Sequence, residues 1–146
     1  MKILYFFLSS FIIMSGTCKK DSDNCHHTIR VKNQSTKTIY IYGDNNYPDT
    51  LISPPRYAFP SPLSDPQLYE VKPNETNTEG LRLRRGCIES TFGTIIKSDT
   101  DIVYIFEKDV LESTPWDTIK AYNRYKKRYD LSLKDLQNNN FTITYP

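Results

Sequence analysis

The stretch Ile102 to Phe106, IVYIF, constrains the fold more than any other part of the chain. A strand with one wet face alternates apolar and polar side chains, and this run does not alternate. It therefore predicts a central strand covered on both faces, with packing partners on each side. The turn residues Ser98-Asp99-Thr100-Asp101 precede it.

Upstream, HTIRVKN, QSTK and TIYIYG read as two strands around a polar turn. Ile29 and Val31 alternate with polar neighbours, as do Ile39 and Ile41 with Tyr40 and Tyr42, so these four aliphatics are expected to face the core. Asn33-Gln34-Ser35-Thr36 has hairpin turn chemistry, though the connection is longer than two residues. Residues 44–68 hold Pro48, Pro54, Pro55, Pro60, Pro62 and Pro66. Proline removes a backbone donor and restrains its predecessor, which excludes regular helices and central strands here. Such a long connection suggests functional shape or a packed crossover, pinned by two or three of Tyr47, Leu51, Ile52, Tyr57 and Phe59. Leu68 to Lys72 is a short strand with Tyr69 and Val71 on one face, and Pro73 to Asn77 is a turn. In GLRLRR, Leu81 and Leu83 alternate with Arg82 and Arg84, giving a half-exposed strand that Gly86 ends. Ile88 to Thr94 has no single period; Phe92 and Ile95 fit another extended piece.

Thr114-Pro115-Trp116-Asp117 carries a helix start, with a capping threonine, proline at the first helical position and an acid three residues after the cap. Trp116, Ile119, Ala121 or Tyr122, and Tyr125 or Tyr129 follow at spacings of three and four, predicting a helix near 115–128 with Trp116 as the main core plug. Ser132-Leu133-Lys134-Asp135 repeats the capping logic for a short turn that Asn138-Asn139-Asn140 stops. Phe141, Ile143 and Tyr145 alternate with Thr142 and Thr144 in a last strand. The expected fold is α+β: a mostly antiparallel β-sheet or sandwich-like core with one C-terminal helix packed on it.

The N-terminus has a different character. Lys2 is followed by an apolar run from Ile3 to Met14, then Ser15, Gly16, Thr17 and Cys18, then a polar stretch. The run is too short to cross a bilayer and reads as an export signal. Met14-Ser15-Gly16-Thr17-Cys18 resembles the signal and lipobox of bacterial lipoproteins, in which the cut falls before a cysteine that is then lipidated. It departs from the usual form at Ser15, where leucine is common, and at Thr17, where glycine or alanine is. The looser lipoboxes of Bacteroidota-like lipoproteins accept both, and Cys-Lys-Lys-Asp is a familiar mature start there. The resemblance implies residues 1–17 as a signal peptide, lipidation of Cys18, residues 18–25 as a polar tether and residues 26–146 as a single β-rich domain. Ordinary cleavage with release and an uncleaved apolar anchor are the alternatives. Each buried methylene contributes roughly 0.8 kcal/mol, so one acyl chain holds a protein marginally and two or more hold it stably.

With Cys18 lipidated, Cys25 and Cys87 remain as an even set in an oxidising compartment, where a disulfide between them is expected; two unpaired thiols are the alternative. No CxxC spacing exists, which argues against thioredoxin-type redox chemistry.

The tail supplies a second resemblance. Trp116, Tyr125, the run Tyr129-Asp130-Leu131-Ser132-Leu133, Leu136-Gln137 and the final Thr142-Ile143-Thr144-Tyr145-Pro146 are similar to the C-terminal end of small Bacteroidota cell-envelope lipoproteins. That group has no assigned activity, so the likeness implies class and compartment alone: the cell envelope, lipid-anchored, at the outer membrane.

Past residue 17 the chain has 129 residues, with 18 Lys plus Arg against 17 Asp plus Glu. One domain is expected at this length, and near-neutrality gives no electrostatic case for nucleic acid. His26 and His27 are adjacent, so on an extended segment they point opposite ways and make a poor pair of metal ligands. No zinc or iron spacing, HExxH, Gly-rich phosphate loop or GxSxG is present, so neither a metal nor a cofactor is expected. Asp99, Asp101, Glu107, Asp109 and Glu112 form the one acidic cluster, with Asp99 and Asp101 on one side of a strand edge. They read as solvated carboxylates rather than an acid–base pair. Arg82, Arg84 and Arg85, and separately Lys120, Arg124, Lys126, Lys127 and Arg128, are basic. A binding face for glycan or lipid headgroups built from Arg82, Arg84, Arg124 and Tyr122 requires the two sets to converge; an ordinary solvated face is the simpler alternative. Asp49-Thr50-Leu51 resembles a Bacteroidota-like O-glycosylation acceptor, with Thr50 as the modified residue, and Asp117-Thr118-Ile119 matches it too.

The expected protein is thus a membrane-anchored envelope lipoprotein with a non-enzymatic structural or accessory role, held to lipid through Cys18 and in contact with envelope proteins or glycans. A binding module for carbohydrate or another surface polymer is the first rival. An envelope hydrolase, which would need convergent carboxylates or a nucleophile–base pair, is the second.

Overall fold

The computed structural model describes residues 24–48, 66–96 and 98–146. Cys18 and Thr50, and with them the expected anchor and glycosylation site, lie outside the described residues.

The chain is α+β. Its strands are β1 (Arg30–Asn33), β2 (Ile39–Asp44), β3 (Glu70–Val71), β4 (Thr76–Asn77), β5 (Thr100–Glu107), β6 (Lys127–Ser132) and β7 (Thr142–Tyr145). Four short α-helices accompany them among the described residues: α1 (Ile88–Thr94), α2 (Lys108–Ser113), α3 (Trp116–Ala121) and α4 (Leu133–Asn138). The strands form a three-stranded sheet in the order β4-β1-β7 and a four-stranded sheet in the order β3-β2-β5-β6. All neighbours are antiparallel except β1 and β7, which run parallel.

The two sheets close on one core. Val31 of β1 and Ile143 and Tyr145 of β7 pack with Ile39 and Ile41 of β2, Val103 and Ile105 of β5 and Leu131 of β6. Ile29, Val31, Ile39 and Ile41 are all buried there, as their alternation predicts. Ile102, Tyr104 and Phe106 point to the opposite face of β5, where a second cluster joins Tyr40, Leu111 of α2 and Ile119 of α3. All five residues of IVYIF have zero exposure, and β5 lies inside its sheet. The absence of alternation in the sequence thus has a plain cause: each face of β5 meets a separate apolar layer.

β1 and β2 exist, but they do not form a hairpin; they belong to different sheets. Asn33, fully buried, organises the crossing. Its Nδ2 donates to the carbonyls of Lys37 at 2.8 Å and Val71 at 3.0 Å, and its Oδ1 accepts from Ser35 N at 3.0 Å and Ser35 Oγ at 2.7 Å. Those bonds turn the chain out of one layer and fix it to β3 of the other. The return crossing is the turn between β3 and β4, closed by Glu75 N donating to Lys72 O at 3.1 Å.

Three further expectations are corrected. The helix near 115–128 ends at Ala121, and Lys127 begins β6. Asn123 takes a left-handed φ of 47°, while Arg124 N donates to Ile119 O and Asn123 N to Lys120 O. This pair of bonds is a Schellman stop with asparagine in place of glycine. The same device ends α4, where Asn140 has φ 48° and Phe141 N donates to Leu136 O. Trp116 is only partly buried beside the second cluster, its ring 6.3 Å from Phe106; the largest fully buried side chain is Tyr104. GLRLRR is not a strand of either sheet. It makes one bridge, Thr28 with Arg82, flanked by Leu83 N to His27 O and Ile29 N to Leu81 O.

Candidate functional site

Ile88 to Thr94, ambiguous in sequence, is helical because Ile88, Phe92 and the following Ile96 fall on one face at intervals of four, and all three are buried. Two ties hold the start of this helix. Cys87 at its N-cap is bridged to Cys25, 62 positions earlier in the sequence, with Cα atoms 5.1 Å apart. Ile88 N donates to His26 O at 2.7 Å. His26 adds a third contact: its Nδ1 lies 2.6 Å from Glu89 Oε1, its backbone N donates to Glu89 Oε2, and its ring stacks on Phe141 at 3.8 Å. Burial works against the Glu89 charge, yet the backbone and ring of His26 hold its carboxyl below the usual range.

α1 does not fill the end of the core completely. Between it, the Leu81–Leu83 segment and the ends of β2 and β5 lies a cavity of about 360 Å³. Ile29, Leu81, Leu83, Ile88, Phe92 and Ile96 supply its apolar wall, and Asp44 and Asp101 its acidic residues. Asp44 pairs in register with Ile102 and shares that residue's face of the sheet, while Asp101, one position earlier in β5, belongs to the other face. Asp44 is only 6% exposed. Its Oδ1 accepts from Asn46 N at 3.0 Å and Asn46 Nδ2 at 2.6 Å, so the carboxylate also closes the turn after β2. Burial pushes the Asp101 carboxyl up to about 7; the Ile102 backbone N–H opposes this, and the nearby Asp44 charge adds to it. Arg82 also lines the cavity, but its Nη1 is held by Glu79 Oε2 at 3.0 Å.

The acidic cluster read from the sequence is not a cluster. Asp99 sits in a turn at φ 52°, which breaks the alternation expected to align it with Asp101. Glu107 binds Lys37 and Lys126, and Glu112 approaches Tyr40 and Lys108. The carboxylate whose charge adds to the raised Asp101 carboxyl is Asp44, more than fifty positions upstream. The signal for this in the sequence is faint: a strand that ends in Gly43-Asp44 pairs antiparallel with one that begins at Thr100.

The expected basic face is divided. Arg82 and Arg84 flank a polar hollow with His27, Tyr69 and Glu79 on the side of the first core. Arg124 and Tyr122 lie just past α3, with the guanidinium 6.0 Å from the ring centre, on the side of the second cluster. The four-stranded sheet separates the two pairs. His26 Nδ1 meets Glu89, and His27 Nδ1 lies 2.7 Å from the carbonyl oxygen of Gly86. Among the described residues no group of three or more His, Cys, Asp or Glu could hold a metal ion, and no helix is long and apolar enough to cross a membrane.

Compared with known protein families, curated proteins and solved structures, the chain gives no significant match.

Proposed function

We propose that this chain is a lipid-anchored protein of a bacterial cell envelope with an accessory, non-enzymatic role. The observation that carries the reading is the pairing of Cys25 with Cys87. A disulfide favours an oxidising compartment, and it leaves Cys18 as the one remaining cysteine, directly after the short apolar run. Residues 18–25 are polar and would form the tether. A diacylated or triacylated Cys18 would hold the domain at the bilayer surface on that short tether.

Palmitate labelling in the producing cells tests this. Label is expected in the wild-type protein and in its membrane fraction, with both lost in Cys18→Ala. A Cys18→Ala protein that still carried label would end the proposal.

A hydrolase is the second reading, and one observation favours it: Asp101, its carboxyl raised by burial, lines an apolar cavity. It predicts release of reducing ends from envelope glycan that disappears in Asp101→Asn. The accessory reading predicts no release by either protein.

A further inference from the structure

We propose that the Cys25–Cys87 bridge is an exchangeable disulfide, opened by a dithiol, with Cys25 as the sulfur that leaves and His27 as the residue that shares a proton with it. This is independent of how the protein is anchored.

The geometry around His27 carries that chemistry. Its Nδ1 lies 2.7 Å from the carbonyl oxygen of Gly86. A carbonyl oxygen only accepts, so Nδ1 carries the hydrogen and donates it. That orients the ring and turns Nε2 toward Cys25 Sγ, 3.6 Å away. A sulfur, a base and a third group that orients the base stand in sequence, which is the arrangement that activates a nucleophile. In the closed bridge Cys25 Sγ holds no proton; once the bridge opens, Nε2 is placed to take one from it.

The surroundings favour a reactive sulfur as well. Both cysteines are half-buried. Enclosed structural cysteines are inert, whereas partly exposed ones beside positive charge react. Arg82, Arg84 and Glu79 line one hollow with His27, and Arg30 lines the adjoining one. Glu79 pairs with Arg82, and Glu89, on the α1 side, is engaged by His26. The positive side chains around His27 thus outnumber the acids, and positive charge favours a thiolate.

In the exchange, a thiol of the dithiol gives up its proton, which His27 Nε2 takes, and the thiolate attacks Cys87 Sγ. The bridge breaks, and its electron pair leaves on Cys25 Sγ beside the charged imidazole. The second thiol then attacks the mixed disulfide and releases Cys87. Two electrons and two protons pass to the two cysteines, and the dithiol ends as a disulfide. The bonds from Ile88 N to His26 O and from Leu83 N to His27 O, 2.7 and 2.8 Å, do not involve the sulfurs, so they keep the two cysteines close enough to rejoin.

The test opens the bridge of the full-length protein with dithiothreitol, quenches with an alkylating reagent and maps the label peptide by peptide. At pH 7 His27→Gln is expected to open at least about threefold more slowly than the wild type. Glutamine keeps a donor for Gly86 O but cannot take up the proton. In the reduced wild type at pH 6.5, Cys25 should be alkylated about fivefold faster than Cys87, with the gap closing by pH 9.5. The alkylation arm needs no variant, so it decides the matter even if His27→Gln misfolds. Equal opening rates for the two folded proteins, or Cys87 labelled as fast as Cys25 at pH 6.5, would each overturn the proposal. None of these outcomes bears on Cys18.

Discussion

Tyr129 Oη donates a 3.1 Å hydrogen bond to the carbonyl of Thr144, and this contact joins the outer edges of the two sheets. Among the described residues β6 pairs only with β5, and β7 only with β1, so no strand ladder joins them across the seam. Unpaired edges invite pairing with other chains, and here a side chain takes one edge acceptor. A single neutral hydrogen bond is worth about 1 kcal/mol net. Tyr129→Phe is therefore expected to lower stability by about 1 kcal/mol in denaturant unfolding. An unchanged midpoint would mean that packing alone holds the seam.

Asn33 should be far less tolerant. Alanine there removes one donor to the buried carbonyl of Val71 and the acceptor of two Ser35 donors. We expect Asn33→Ala to cost roughly 3 kcal/mol. An aspartate at this position would keep the acceptor but not the donor, so Asn33→Asp should also destabilise. A loss below about 1 kcal/mol for alanine would show that the crossing between sheets is held by other contacts.

The Cys25–Cys87 bridge fastens the segment before β1 to the N-cap of α1. The chain-entropy estimate for a loop of about 60 residues is around 4 kcal/mol, and measured values often fall below it. The double variant Cys25→Ser, Cys87→Ser is expected to melt at a lower temperature. Hydrogen exchange should accelerate first in α1, because the bridge ends there. Uniform acceleration across both sheets, with α1 no faster, would contradict this.

Asp101 makes a prediction of unusual sign. Its folded pKa, about 7, stands above the ordinary value of 3.8, so the folded state binds more protons between about pH 4 and pH 7. The contribution of this group to stability therefore falls as pH rises through that window and is level above it. Asp101→Asn should exceed the wild type by roughly 1–3 kcal/mol at pH 8 and match it near pH 3.5. Equal stabilities at pH 8 would show that Asp101 carries no burial cost. Glu89 and Asp135, both held low, act in the opposite direction and lose their contribution in acid.

Burial on both faces writes itself into composition, which is why β5 can be read from IVYIF alone. The alternation of Ile29, Val31, Ile39 and Ile41 likewise reveals their facing. Pairing is harder to read. The turn residues after β1 suit a hairpin, and only the long-range reach of Asn33 to Val71 shows that the chain changes sheets there. Spacing alone carries the helix after Pro115 too far because Tyr125 and Tyr129 continue its period; the stop is written in Asn123, whose left-handed backbone a period count does not register. The candidate cavity is the least legible. Strand register brings the end of β2 beside Asp101, and Phe92 joins the cavity because the disulfide and His26 bring α1 over the core. Those are tertiary facts with weak local traces.

The most direct test of the central claim is the intact mass of the protein isolated from its own membranes. The account predicts a polypeptide that starts at Cys18, carries two or three acyl chains and lacks the two hydrogens lost when Cys25 and Cys87 join. A mass that begins at Met1, or a bare Cys18 with a free amine and thiol, would contradict it.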